Sequence, residues 1–205
     1  MPELMLPIAG NINQMSTYEE LFREYIDDRI LVFNDEVSDN VVEDYIMYIL
    51  KWNKEDMNLP IESRRPIRLY ITSIGGNTFC ANIMSDVIEQ SKTPVIGVAL
   101  DLVASAAYHI YLSCKVRYSF RNSAFLQHDG EITIQNSSKK AKDTVAFFDE
   151  AEVREKQHVL SHTTMDEEFY DSHYEAELWM YSEQAKELGI VHKIIGIDCD
   201  LDEVL

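Results

Sequence analysis

Several features that mark common protein classes are absent from this sequence of 205 residues. It contains no apolar run of about 18 residues and no leader with a basic start and an apolar stretch. We therefore expect a cytoplasmic protein that neither spans a membrane nor is exported. Cysteine is scarce, and Cys80, Cys114 and Cys199 lack the spacing of metal ligands. We expect reduced thiols and no metal in the functional site.

Basic residues are also scarce, because 18 lysines and arginines stand against 36 aspartates and glutamates, which gives a net charge of −18. A surface of that sign repels the phosphates of nucleic acids, so we do not expect the protein to bind DNA or RNA. The simplest interpretation of the acidic excess is solubility.

The apolar pattern predicts one α/β domain. Hydrophobic residues make up 46% of the chain, which is enough for one core at this length. Short apolar segments alternate with segments of helical period, as in βαβ units around a largely parallel sheet. Residues 101–113 are expected to form a turn followed by a buried helix. We expect strands at 29–33, 67–72, 95–100, 116–120, 124–128 and 190–195, and a long polar helix at about 137–161.

Two glycines, Gly75 and Gly76, lie between a predicted strand and a predicted helix in "YITSIGGNTFCAN". Such a turn can bind a phosphate, form an oxyanion hole or simply bend the chain. The patterns G-x-x-x-x-G-K-[ST] and G-x-G-x-x-G are both absent here, which argues against a phosphate site.

Two residues further along the chain have the chemistry of a hydrolase, although each also has a structural explanation. Ser105 begins an apolar helix, where serine often acts as a cap, but a helix N-terminus flanked by alanines also suits a nucleophile. His128 ends a predicted strand, at the edge where open α/β sheets bind ligands, although a single histidine there is often only a surface residue. His109, one helical turn after Ser105, is interpreted as a core histidine.

Taken in order, these motifs resemble the ClpP family of self-compartmentalising serine peptidases, over about residues 15–195. Ile74 stands where that family has a proline. The motifs that carry the resemblance are "SIGG" (73–76), "VASAA" (103–107), "NSAFLQH" (122–128) and "SEQAKELG" (182–189).

The resemblance implies a ClpP/crotonase-like fold, built from repeated βαβ units with a long handle helix. It implies a single peptidase domain over residues 1–205. Within it, residues 1–15 would be a flexible N-terminal segment and residues 129–161, approximately, the handle region.

The resemblance also implies roles for individual residues. Ser105 would be the nucleophile and His128 its general base. The backbone N–H groups of Gly76 and Ala106 would form the oxyanion hole, where a glycine allows the substrate carbonyl to approach closely.

The third member of the catalytic triad does not match the family. An alignment without gaps places "DSH" (171–173) on the family's Glu-Arg-Asp, so that His173 takes the position of the aspartate. Asp171 lies two residues earlier and would serve only after a local shift of the backbone. Three alternatives are open: His173, Asp171, or no functional third residue.

Members of the family form heptameric rings, singly or as a tetradecamer of two stacked rings. They receive unfolded polypeptides from a hexameric AAA+ unfoldase and need no cofactor of their own. The resemblance therefore implies a homo-oligomer with an unfoldase, or a paralogous ClpP subunit, as partner. The unfoldase docks on apolar positions that correspond here to Tyr70, Val98, Leu100 and Phe120.

Three functions are compatible with the sequence. The first is a serine endopeptidase of the ATP-dependent type, the second an inactive, ClpR-like structural subunit of the ring, and the third a crotonase-like acyl-CoA enzyme. The third lacks an evident carboxylate base. Because Ser105, His128 and Gly76 are all present, we favour the active peptidase.

Overall fold

The structure, a computed structural model, describes residues 17–130, 133–174 and 176–205. The predicted N-terminal segment at 1–15 lies outside these ranges. The α-helices are α1 (Thr17–Asp27), α2 (Met47–Glu55), α3 (Thr78–Gln90), α4 (Ala106–Leu112), α5 (Ser138–His162), α6 (Glu167–Tyr174) and α7 (Ser182–Glu187). The strands are β1 (Ile30–Phe33), β2 (Ile67–Ser73), β3 (Val95–Ala104), β4 (Val116–Phe120), β5 (Ala124–Gln127), β6 (Leu178–Tyr181) and β7 (Lys193–Ile195).

The strands form one sheet in which β1, β2, β3, β4 and β7 are parallel neighbours. The long strand β3 serves two partners in succession. Its first part pairs with β4 and its last three residues pair with β5, both in parallel. The predicted α/β class with a largely parallel sheet is confirmed.

The main core lies where α3 and α4 pack against the sheet. It is built from apolar side chains that alternate along β2 and from fully buried rings, including Tyr108, Tyr111 and Phe125. Tyr111 donates a hydrogen bond to the carbonyl of Tyr118, so its hydroxyl group is satisfied inside the core. This packing fixes α4, and therefore Ser105 just before it, rigidly on the sheet.

A smaller apolar cluster covers another part of the sheet. Val98, Tyr118, Ile195 and Val204 form its buried centre. Val204 belongs to the C-terminal segment, which contains a short 3₁₀-helix at Leu201–Glu203. The end of the described chain thus packs back onto the sheet.

One local prediction was wrong, and one strand was missed. Residues 101–104 were expected to form a turn, but they continue β3, because Leu102, Val103 and Ala104 find parallel partners in β5. Strand β6 was not foreseen; it is only four residues long and pairs antiparallel with β5. The long polar helix was predicted at 137–161 and lies at Ser138–His162, so that prediction is confirmed.

Among the described residues, no helix is long and apolar enough to cross a membrane.

Candidate active site

Ser105 is the single residue between β3 and α4. Its backbone has φ 53° and ψ −127°, a conformation that L-residues other than glycine rarely adopt. Such strain costs of order 1–3 kcal/mol and concentrates at functional sites, where the surrounding structure holds it in place. Here the holding contacts are backbone hydrogen bonds from Ser105 N to the carbonyl of Leu126, at 2.9 Å, and from Tyr108 N to the carbonyl of Ser105.

The structural explanation of Ser105 as a helix cap is not supported. Ser105 occupies the N-cap position of α4, but its hydroxyl group makes no capping hydrogen bond. The side chain is half-buried, between the buried residues Ala104 and Ala106. Other hydrolases also expose their nucleophile on a strained serine between a strand and a helix. The G-x-S-x-G sequence of those hydrolases is absent here.

The Gly75-Gly76 turn lies directly against Ser105. A Cβ atom at Gly75 would be 2.6 Å from the Cβ of Ser105 and 3.0 Å from the backbone nitrogen of Ala106. Gly75 and Gly76 also have φ of 99° and 143°, which L side chains rarely adopt. Sequence reasoning assigned a role to Gly76 only, but the closer contact with Ser105 is made by Gly75.

The N–H groups predicted for the oxyanion hole are available. Val37 and Gly76 form an isolated parallel bridge. In this bridge the N–H of Val37 donates to the carbonyl of Gly75, and the N–H of Asn77 donates to the carbonyl of Val37. Within the described ranges, the N–H groups of Gly76 and Ala106 donate to no other protein group. Two unpaired donors near a strained serine hydroxyl group can stabilise an oxyanion.

His128 follows β5 directly, at the same edge of the sheet as Ser105. Since β5 is parallel to β3 and pairs Leu126 with Ala104, the two strands end side by side. His128 is half-buried. No hydrogen bond joins Ser105 and His128 in the described part of the chain, although they share an edge of the sheet.

His109 is a second histidine close to Ser105 in sequence. It is half-buried rather than fully enclosed, which differs from the predicted core histidine. Burial lowers its pKa to about 3, with smaller effects of His158 and His128. His109 therefore stays neutral at pH 7, and its ring lies 5.7 Å from that of His158.

His173 lies near the end of α6 and is held by its own helix. Its Nδ1 atom is 2.8 Å from the carbonyl oxygen of Phe169 and 2.9 Å from the hydroxyl group of Ser172. Its ring stacks on that of Phe169, with 4.3 Å between centroids. Because a carbonyl only accepts hydrogen bonds, this contact places the proton on Nδ1 and leaves a lone pair on Nε2.

Asp171 is exposed and points to a different partner. Its carboxylate accepts a hydrogen bond of 2.7 Å from the ammonium group of Lys156 on α5. In the ranges that the structure covers, neither Asp171 nor His173 hydrogen-bonds to His128.

The family model of the Clp proteases matches residues 13–198 of this chain. The chain belongs to the Clp protease family. This confirms the resemblance found in its motifs and separates the chain from the acyl-CoA enzymes. The ATP-dependent Clp protease proteolytic subunit 2 of Treponema denticola is 22% identical to it over 193 residues, covering 93% of this chain and 94% of the relative.

Other relatives are similarly distant. The ATP-dependent Clp protease proteolytic subunit 1 of Bifidobacterium longum is 25% identical over 199 residues, which cover 95% of this chain and 81% of that protein. A solved structure of a ClpP1 point mutant from Listeria monocytogenes superposes with a TM-score of 0.72 at 24% identity, over 90% of this chain and 99% of the other. That likeness confirms the ClpP-like fold.

Proposed function

We propose that this protein is a serine endopeptidase subunit that cleaves unfolded polypeptides inside a ring chamber. One observation carries the proposal: Ser105 is held in a strained turn with the Gly75-Gly76 turn pressed against it. Small buried residues flank the serine, and within the described residues the N–H groups of Ala106, next to it in the chain, and of Gly76, next to Gly75, donate to no other protein group. A merely structural serine requires none of these features.

The reaction follows from the roles of the individual groups. His128 takes the hydroxyl proton as Ser105 Oγ attacks the peptide carbonyl carbon. The carbonyl oxygen becomes an oxyanion that accepts hydrogen bonds from the N–H groups of Gly76 and Ala106. His128 then gives its proton to the leaving amine, and water hydrolyses the acyl-enzyme in the reverse sequence of proton transfers. The first step requires a hydrogen bond between Ser105 Oγ and the ring of His128.

We assign the third position of the triad to His173, with Asp171 as the alternative. The contact of His173 Nδ1 with the Phe169 carbonyl leaves Nε2 as an acceptor, which is what the Nδ1–H of His128 needs. Asp171 must first release Lys156. A neutral imidazole is a weaker acceptor than a carboxylate, so we expect slower catalysis than with an aspartate.

Exposed apolar side chains next to the site suit an unfolded polypeptide as substrate. Ile74, which precedes the two glycines, is 70% exposed, and Phe79 on α3 is 51% exposed. Phe79 stacks on Phe147 of α5, which forms an aromatic surface between these helices. An extended chain with apolar side chains would bury this surface.

Assembly into a homo-oligomeric, heptameric ring is supported by further exposed apolar residues. They are carried by α1, by α2 and the turn after it, and by α5, where contact with a neighbouring subunit would remove them from water. They are Leu21 and Phe22 on α1, Met47 and Leu50 on α2, Met57 just after α2, and Val145 and Val153 on α5. The ring would occur singly or as a double ring of fourteen subunits. The relatives named above are ATP-dependent, so we expect an AAA+ unfoldase, or a paralogous ClpP subunit, as partner.

The experiment is labelling with a fluorophosphonate, which reacts only with an activated serine. We expect labelling of the assembled wild-type protein at Ser105 and cleavage of short fluorogenic peptides, and loss of both in Ser105→Ala. Ser113→Ala is the matched control, since Ser113 directly follows α4 and its hydroxyl group contacts the carbonyl of His109 and the ring of His158 rather than Ser105.

One observation favours the alternative of an inactive, ClpR-like ring subunit: within the described residues no acceptor contacts His128. Native mass spectrometry in parallel with labelling separates the two functions. Rings that form but stay unlabelled would establish the structural subunit.

A further inference from the structure

Three side chains that the active site does not use converge between α3 and α5. His158 and His162 are four residues apart on α5, so they lie on one face of that helix. Glu89, near the end of α3, faces both. Its Oε1 atom is 3.3 Å from His158 Nδ1 and 3.4 Å from His162 Nε2. The three ligand atoms all lie within 4.8 Å of one another.

In both histidine rings, the nitrogen that faces away from Glu89 contacts a backbone carbonyl. His158 Nε2 is 3.1 Å from the carbonyl of His109, and His162 Nδ1 is 2.8 Å from the carbonyl of His158. A carbonyl only accepts, so in a neutral ring the proton lies on that side and the lone pair points at Glu89. Metal-binding histidines are commonly oriented in this way by a carbonyl on the far side of the ring.

The distances fit a metal better than an ion pair. A charge-assisted N–H···O bond measures about 2.7–2.9 Å, and both contacts of Glu89 are longer. In a tetrahedral site with bonds of about 2.1 Å, neighbouring ligand atoms are about 3.4 Å apart. The two distances of 3.3 and 3.4 Å have this value.

A cavity beside the cluster leaves room for a further ligand. It has a volume of about 260 Å³ and is lined by residues of α3, α4 and α5, among them Ser85, Glu89, His109 and His158. Ser85 is only 5% exposed, yet its hydroxyl group has no hydrogen-bond partner among the described residues. A buried hydroxyl group without a partner is unusual and points to a bound water or ligand in the cavity.

We propose that Glu89, His158 and His162 bind one Zn²⁺ ion per chain, with water from this cavity as the fourth ligand. The ion would tether α5, the long helix of the handle region, to α3, which begins directly after the Gly75-Gly76 turn. Two histidines, one carboxylate and a water form a known ligand set for zinc. The proposal is independent of the proposed peptidase activity, because it involves neither Ser105 nor His128.

The sequence contained a signal for this site. The motif H-x-x-x-H at 158–162, on a predicted helix, puts both imidazoles on one face. The expectation that the protein binds no metal rested on the spacing of the cysteines and overlooked this pair. Glu89 is distant in sequence, and only the packing of α3 against α5 brings it to the histidines.

The first experiment measures zinc in protein without a histidine tag. The protein is stripped with a chelator, incubated with Zn²⁺ and desalted, and zinc per chain is determined by atomic emission. We expect one equivalent, and a weakening of zinc affinity by at least about tenfold in each of Glu89→Gln, His158→Gln and His162→Gln. Glu62→Gln is the matched control, because Glu62 is an exposed carboxylate on the chain segment before β2.

The second experiment uses only the wild-type chain, so that it does not depend on the folding of the variants. Co²⁺ in the same site should give the intense visible bands of tetrahedral coordination. It should give no thiolate-to-cobalt charge-transfer band, since Cys80, Cys114 and Cys199 lie outside the cluster. Zinc should also raise the melting temperature of the wild type and not of Glu89→Gln.

The outcomes are distinct. Retention of zinc by all three glutamine variants, or a thiolate band with cobalt, would place the metal elsewhere and overturn the proposal. Failure of the wild type to retain zinc would also overturn it. Fluorophosphonate labelling reports on Ser105 alone, so neither result is confused with failure of the peptidase proposal.

Discussion

A Cβ atom on Gly75 would lie 2.6 Å from the Cβ atom of Ser105, closer than two such carbon atoms can approach. The glycine is therefore a structural requirement of the position that Ser105 occupies. The same imagined atom would be 2.8 Å from the carbonyl oxygen of Ala104. The turn and the strained serine can only exist together.

We predict that Gly75→Ala lowers kcat/KM for a peptide by at least about 100-fold, comparable to the loss of an oxyanion-hole donor. The added methyl group displaces Ser105 or the N–H of Gly76 from its place. Gly130→Ala is the control, because a Cβ atom at Gly130 has nothing within 4 Å. Equal activity of the two variants would mean that the turn does not position the serine.

Ser105→Gly should be more stable than Ser105→Ala by about 1 kcal/mol, although both lack the nucleophile. Glycine relieves the strain of φ 53°, and this gain exceeds its larger entropy in the unfolded chain. The order should reverse at Ser113, whose φ of −67° and ψ of −16° are helical. Urea unfolding of the four variants measures both differences. An unchanged order at Ser105 would show that its backbone is not strained.

Three substitutions separate the candidates for the third triad residue. If His173 orients His128, His173→Ala should lower kcat by about 100-fold or more while Asp171→Ala has little effect. Lys156→Ala tests whether Asp171 can take this role, because the substitution frees the carboxylate of Asp171. Higher activity in Lys156→Ala, lost again in the double variant with Asp171→Ala, would transfer the role to Asp171.

Acid should weaken the fold through Asp56. This carboxylate is 3% exposed and accepts two hydrogen bonds from the guanidinium group of Arg29, at 2.6 and 2.9 Å, and one from Thr93. The hydrogen bonds from Arg29 lower the pKa of Asp56 in the folded state. Stability from this group is therefore present above about pH 4, the unfolded value, and is lost as pH falls towards the folded pKa.

The measurement is urea unfolding of wild type and Asp56→Asn between pH 7 and pH 3. At pH 7 the variant should be less stable by about 3 kcal/mol, since Arg29 loses its buried partner. The difference should shrink in acid. Asp28→Asn, which breaks an exposed pair with Arg65, should cost less than about 1 kcal/mol. A difference at Asp56 that does not depend on pH would contradict the assignment.

The sequence predicted what depends on local pattern and missed what depends on packing. The boundaries of α5 were correct within one residue, because a long polar segment without glycine or proline favours a helix. The turn predicted at 101–104 was wrong because the last residues of β3 pair with β5, a partner that lies about twenty residues further along the chain. The contact of Gly75 with Ser105 and that of Glu89 with His158 join distant segments, and no spacing within the chain encodes them.

Val204 is 1% exposed and packs in the cluster with Val98 and Tyr118. The hydroxyl group of Tyr70 donates a hydrogen bond to the backbone carbonyl of Val204. The C-terminal segment therefore covers Val98 and Tyr70, two of the positions at which the resemblance predicts docking of an unfoldase. Val204→Ala should lower the free energy of unfolding by about 2 kcal/mol. Leu205→Ala, at a side chain that is 61% exposed, should have little effect.

Removal of residues 201–205 should expose the same cluster and increase binding of an apolar dye. If this surface receives an unfoldase, the truncated protein should also bind a co-expressed AAA+ partner more tightly, because the partner no longer competes with Val204. Urea unfolding and native mass spectrometry of the truncated protein verify that it folds and assembles. Tighter dye binding with unchanged affinity for the partner would show that the C-terminal segment stabilises the sheet without guarding a docking surface.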